Sequence, residues 1–200
     1  MPDKQTENSR KVTVTTFSSK RKLLKGAAVA PLLMTIASRP VLAMGICTPS
    51  AWVSGNLSDH NKERECGGRS PGYWKTKPGR WPNSYKPGTC KPGSKMGKNS
   101  CCTDYNSDGT RFHDIFAGGQ YGDDTMMQVL WRKGYDDMYK LGAHIVAALL
   151  NARSVPDYGL TVAQVIDMYN QLQSSGLYTT SAGDLTADQC VQFIQQTFSY

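Results

Sequence analysis

Tyr73, Trp74, Trp81 and Tyr85 stand among Arg69, Lys75, Lys77, Arg80 and Lys86, the first pattern along the chain able to do chemistry. Aromatic faces beside cations can hold a sugar ring or an acidic polymer. The same pairs can also stack on each other within one protein, where a loop region with little regular backbone bonding needs large side chains to hold it together. Arg69, Tyr73, Trp74, Lys75, Trp81 and Tyr85 are therefore the candidate ligand-binding set. A second pattern, Asp104-Tyr105-Asn106-Ser107-Asp108-Gly109, matches the opening of a calcium loop, with Asp104, Asn106 and Asp108 as ligands and Gly109 permitting the turn. The closing glutamate is absent: Ile115 holds its place, Asp114 comes one residue early, and Asp123 is a more distant alternative. Plain Asx turns use the same residues, so calcium is a possible cofactor and no other is expected.

His60, His113 and His144 do not pair at ligand spacing, although Asp114 could orient His113. Gly-x-Ser-x-Gly, His-Glu-x-x-His and a phosphate-binding glycine loop are all missing, which argues against an enzyme. Cys47, Cys66, Cys90, Cys101, Cys102 and Cys190 form an even set without a Cys-x-x-Cys pair, and they read as three disulfides rather than as thiolate ligands. Cys190 is expected to tie the C-terminal half to the cysteine-rich half, leaving no spare thiol for a Cys-His nucleophile.

Two contrasting halves must position these residues. From about Cys66 to Cys102, Lys-Pro-Gly recurs at Lys77, Lys86 and Lys91, presetting type II turns, so regular helix is not expected there. Beyond residue 112 the pattern is helical. Asp123 or Asp124 could cap a helix through Trp131, with Gly134 as its stop. Met138, Leu141, Ile145, Leu149 and Ala152 form a stripe that Val146 and Leu150 widen, as in a helix covered on most sides. Thr161 with Gln164 and Thr186 with Gln189 are capping boxes, each preceded by a leucine able to act as a staple. Phe193 and Ile194 should face inward. The expected fold is mainly α: a small C-terminal helical bundle (112–200) packed as one domain with a disulfide-stapled, irregular Pro/Gly-rich part (44–111).

Residues 1–43 read as a cleaved signal peptide: a basic stretch, the apolar segment Gly26 to Ser38, and small Ala43 at the cleavage point. Ser19-Lys20-Arg21-Lys22-Leu23-Leu24-Lys25 resembles a twin-arginine motif with Lys20 in place of the first arginine, and Arg39 is a late charge that disfavours the general secretion channel. The expected location is periplasmic or extracellular, with membrane contact only through the export machinery. After cleavage 15 Lys and Arg face 14 Asp and Glu, so the basic character of the precursor belongs to the signal. A polarity remains: residues 62–111 hold 11 basic and 4 acidic side chains, while 112–200 hold 4 basic and 9 acidic. The halves can attract each other, or the basic half can take an anionic partner such as an acidic polysaccharide or an envelope protein. Nucleic acid is a poor partner for an exported chain.

Cys66-Gly67-Gly68-Arg69-Ser70-Pro71-Gly72-Tyr73-Trp74-Lys75 resembles the Ser/Thr-Pro-Gly-Tyr-Trp-Lys signature of a group of uncharacterised exported bacterial proteins. Leu141-Gly142-Ala143-His144 and Ala147-Ala148-Leu149-Leu150-Asn151-Ala152 are similar to that group too. Members often carry Asn-His after the lysine, where this chain has Thr76-Lys77, so a possible histidine ligand is absent. The resemblance implies a secreted domain and transfers no activity. The expected function is an exported, disulfide-stabilised structural or binding protein, surface or glycan associated. The alternative from another class is a metal-carrying periplasmic enzyme, or the escorted small subunit of a redox complex, exported folded.

Overall fold

The computed structural model describes residues 47–54, 66–95, 102–132, 137 and 140–199. The signal segment, His60, Cys101, Gly134 and Met138 lie outside them. Among the described residues there are six helices and one hairpin: α1 (Pro49–Val53), α2 (Pro71–Thr76), α3 (Met126–Trp131), α4 (Leu141–Ser154), α5 (Val162–Ser175), β1 (Leu177–Thr180), β2 (Gly183–Thr186) and α6 (Ala187–Gln196). No helix among them is long and apolar enough to cross a membrane.

At the centre lies α4, in which every residue from Leu141 to Asn151 is buried. A helix apolar on all sides has no solvent face, so α2, α3, α5 and α6 can all pack on it. Both expected capping boxes form, at Thr161 with Gln164 and Thr186 with Gln189, and their leucines Leu160 and Leu185 are buried. The start of α3 differs from expectation. Thr125 caps it in a third box with Gln128, while Asp124 pairs with Arg132 instead. A two-residue turn between α5 and α6 closes an antiparallel hairpin, with Tyr178 paired to Leu185 and both turned inward.

The Pro/Gly-rich part is more ordered than its composition suggests. Ser70 caps α2 by accepting from the Tyr73 amide, and Pro71 supplies the fixed φ of the first helical position. The second and third Lys-Pro-Gly runs place Gly88 at φ 88° and Gly93 at φ 76°, as type II turns require. The first winds into a 3-10 turn, Pro78–Arg80. Cys90–Cys102 staples a short ladder in which the Lys91 amide donates to the Asp104 carbonyl and the Asn106 amide to the Thr89 carbonyl.

Cys47–Cys66 and Cys90–Cys102 are the disulfides among the described residues. Cys190 does not bridge the halves. Its thiol is free and 0% exposed beside Val191, Phe193 and Ile194, serving as a small apolar core residue. Burial pushes it up to about 12, so the reactive thiolate is scarce near neutral pH. Maleimide labelling at pH 8 without reductant is expected to leave Cys190 unmodified in the native protein and to modify it fully in denaturant. A Cys190 peptide found cross-linked to another cysteine in the native protein would overturn this.

Candidate functional site

The segment 69–75 and the run 147–152 meet at Asn151. This side chain, 0% exposed on the inner face of α4, accepts at Oδ1 from the Arg69 amide at 2.8 Å and from the Trp74 indole at 3.0 Å. Its Nδ2 donates to the Arg69 carbonyl at 3.0 Å. Trp74 is 2% exposed, and its carbonyl accepts from the indole of Trp81, itself 8% exposed. Both tryptophans belong to the core rather than standing open at the surface, which corrects their place in the candidate set, and of the two only Trp74 is among the residues that line the cleft below. Lys75 is also engaged within the fold, its ammonium lying over the Trp131 ring at 4.7 Å where α2 packs on α3.

Arg69 and Tyr73 remain at the surface, joined by Arg80. The Arg69 guanidinium lies over the Tyr73 ring at 5.4 Å, and that ring stands edge-on to Trp74. With Gly67, Ser154, Val155 and Pro156 they line a cleft of about 250 Å³ whose floor is Trp74. Among the described residues no carboxylate lines it and neither arginine has an ion-pair partner. From Cys66 to Lys95 the chain carries seven Lys and Arg and no Asp or Glu. Tyr85 sits nearby in chain terms, half-buried, its phenol raised by burial and drawn back by the Arg153 charge, while Arg153 donates to the Ser84 hydroxyl. Arg153 and Ser154 end α4, so cations gather at that helix's electronegative terminus.

Backbone geometry fixes the cleft's edge. Gly68 pairs with Phe198, its amide donating to the Thr197 carbonyl and its carbonyl accepting from Ser199. A Cβ on Gly68 would lie 2.6 Å from the Thr197 carbonyl oxygen and 3.1 Å from the Asn151 amide, so no side chain fits. Sequence reading missed Asn151 and the cleft role of Ser154. The available signal was an asparagine within the apolar run Ala147 to Ala152, because a buried amide inside a helix must find partners.

The acidic loop is committed to its neighbours. Asp104 pairs with Lys91 at 3.0 Å, Asn106 donates to the Thr89 hydroxyl, and Asp108 accepts from the Thr89 amide, which holds its carboxyl below the usual range. No group of three or more His, Cys, Asp or Glu able to hold a metal ion occurs among the described residues. His113 divides its ring nitrogens between the Gly122 carbonyl and Asp114, with Asp123 at 3.8 Å.

No family model, characterised protein or solved structure matches the chain. What it does must be read from its own residues.

Proposed function

We propose that this chain is an exported binding protein for an acidic polysaccharide, held at the Arg69–Tyr73–Arg80 cleft. The signal at residues 1–43, resembling the twin-arginine type, would deliver it to the periplasm or beyond, and two disulfides are compatible with that oxidising setting. The observation that carries the reading is a cleft in which, among the described residues, two guanidinium groups have no ion-pair partner, an aromatic ring is present and no carboxylate takes part. Guanidinium groups accept a uronate carboxylate in two-pronged fashion, and Tyr73 supplies a surface for the sugar ring. Because the rigid Trp74–Asn151 unit holds Arg69 by its backbone, binding needs little further ordering.

An oligo-uronate such as alginate hexamer is the probe. Calorimetry on the mature, disulfide-intact protein is expected to show binding that weakens with salt, and Arg69→Gln or Arg80→Gln should each reduce affinity about 10-fold by removing a charge-assisted contact. Both arginines are exposed, so melting temperature should be unchanged. Equal affinity in the double variant, or no binding by the parent protein, would end the proposal.

A further inference from the structure

A second groove, of about 350 Å³, opens beside the Phe198 segment of the Gly68–Phe198 pairing and, among the described residues, is lined by Gln192, Gln195, Gln196 and Phe198. It differs chemically from the arginine cleft, since no charged side chain among the described residues lines it. Each glutamine amide is oriented by a partner outside the groove. Gln192 donates to Asp188 from its Nε2 at 2.6 Å, leaving its oxygen. Trp52 donates its indole N–H to the Gln196 oxygen at 2.8 Å, leaving the Gln196 amide hydrogens.

Gln195 is set by His144. The Nδ1 of His144 lies 2.7 Å from the Lys140 carbonyl, which can only accept, so the ring proton sits on Nδ1. Bare Nε2 therefore accepts from the Gln195 amide at 3.2 Å, and the Gln195 oxygen is left over. Burial lowers the basicity of His144 and keeps it in this neutral form, and its ring stacks on Phe198. The unused functions are thus two acceptors, on Gln192 and Gln195, one N–H left on each of those amides, both N–H groups of Gln196, and the part of Phe198, 9% exposed, that the groove reaches. A ligand that uses the Gln195 acceptor, the Gln196 donor and Phe198 together is uncharged, with an N–H, a carbonyl oxygen and a small apolar group close together. A secondary acetamide has these three features.

We propose that this groove is a separate binding site for the acetamido group of an N-acetylated amino sugar. The sugar N–H donates to Gln195, its carbonyl accepts from Gln196, the methyl rests on Phe198, and a ring hydroxyl donates to Gln192. Charge plays no part, so binding is insensitive to salt, unlike the arginine cleft.

The test is an NMR titration of the mature, disulfide-intact protein with the trimer of N-acetylglucosamine, following the Trp52 indole N–H, which is bonded to Gln196 and assigned with Trp52→Phe. The expected result is a saturable shift of that resonance that maltotriose, the same length without acetamido groups, does not produce. Gln195→Ala and Gln192→Ala change exposed residues, and the first should weaken binding about 10-fold or more by removing the acceptor for the sugar N–H. Arg69→Gln with Arg80→Gln should leave it intact, which separates this site from the uronate cleft. No shift with the trimer, an equal shift with maltotriose, unchanged affinity in Gln195→Ala, or loss of binding in the arginine variant would each overturn the proposal.

Discussion

Asn151→Leu is expected to lower the stability of the protein by about 2 to 4 kcal/mol, because it leaves the part-buried amide and carbonyl of Arg69 and the buried indole N–H of Trp74 without partners. Leucine has the same branching and is bulkier, so no cavity forms and overpacking adds to the polar loss. Each orphaned group carries a desolvation penalty of about 1 to 3 kcal/mol, reduced where water or a small shift satisfies it. Against a typical domain stability of about 5 to 15 kcal/mol this is a large fraction. Asn151→Asp isolates one partner. It keeps an acceptor for the Arg69 and Trp74 N–H groups but sets an oxygen against the Arg69 carbonyl, so it too should destabilise, and more at neutral than at acid pH. Urea unfolding of both variants is the measurement. A loss below about 1 kcal/mol in Asn151→Leu would mean that the Arg69 segment finds other partners readily, and the pre-ordered cleft would lose its support.

That same asparagine marks where the sequence was hardest to read. Helix starts were legible where a threonine and a glutamine three residues later bracket an apolar run, as at Thr161 and Thr186. Thr125 with Gln128 follows the same rule, yet Asp123 and Asp124 stand just before it and offer equally good caps, so local chemistry alone did not choose. The burial of α4 was legible because apolar residues appear on every side of the helix. The hairpin was not, since strands of four residues joined by Ser181 and Ala182 show neither a long alternation nor an Asn-Gly turn. In the Pro/Gly-rich part, α2 is only six residues long, too short for periodicity to show which ring faces inward. Tyr73 and Trp74 are adjacent, and successive helical residues point about 100° apart, so both touch the cleft but Tyr73 stays half-exposed while Trp74 is buried in the core. Long-range partners decided which was which, and Asn151, 77 residues from Trp74, supplied the decisive one.

Gly142→Ala should destabilise the protein by about 3 kcal/mol, although alanine is the better helix former by about 1 kcal/mol. Gly142 is in the first turn of α4, where a Cβ would collide with the Tyr121 phenol and come within 2.8 Å of the Val129 side chain. Tyr121 cannot simply step aside. It is packed against Phe112, its hydroxyl donates to Asp137 at 2.8 Å, and it accepts from the Gly142 amide at 2.9 Å. Asp137, 1% exposed, also accepts from the Gly142 and Ala143 amides, capping a helix whose own N-cap residue, Lys140, is left-handed and makes no side-chain cap. Burial and the Asp137 charge raise the Tyr121 phenol far above its ordinary value, so it stays protonated and keeps donating. Displacing it strips a hydrogen bond from a buried carboxylate, which adds to the steric penalty and outweighs the gain in helix propensity. A double-mutant cycle with Tyr121→Phe separates the contributions. Phenylalanine removes one of the two colliding atoms and frees the ring from its tether to Asp137, while the colliding ring carbon Cζ stays, so it should be less damaging in the Gly142→Ala background than in the parent, with a coupling of about 1 kcal/mol or more. Additive losses, or a Gly142→Ala variant more stable than the parent, would show that α4 begins independently of Tyr121 and Asp137.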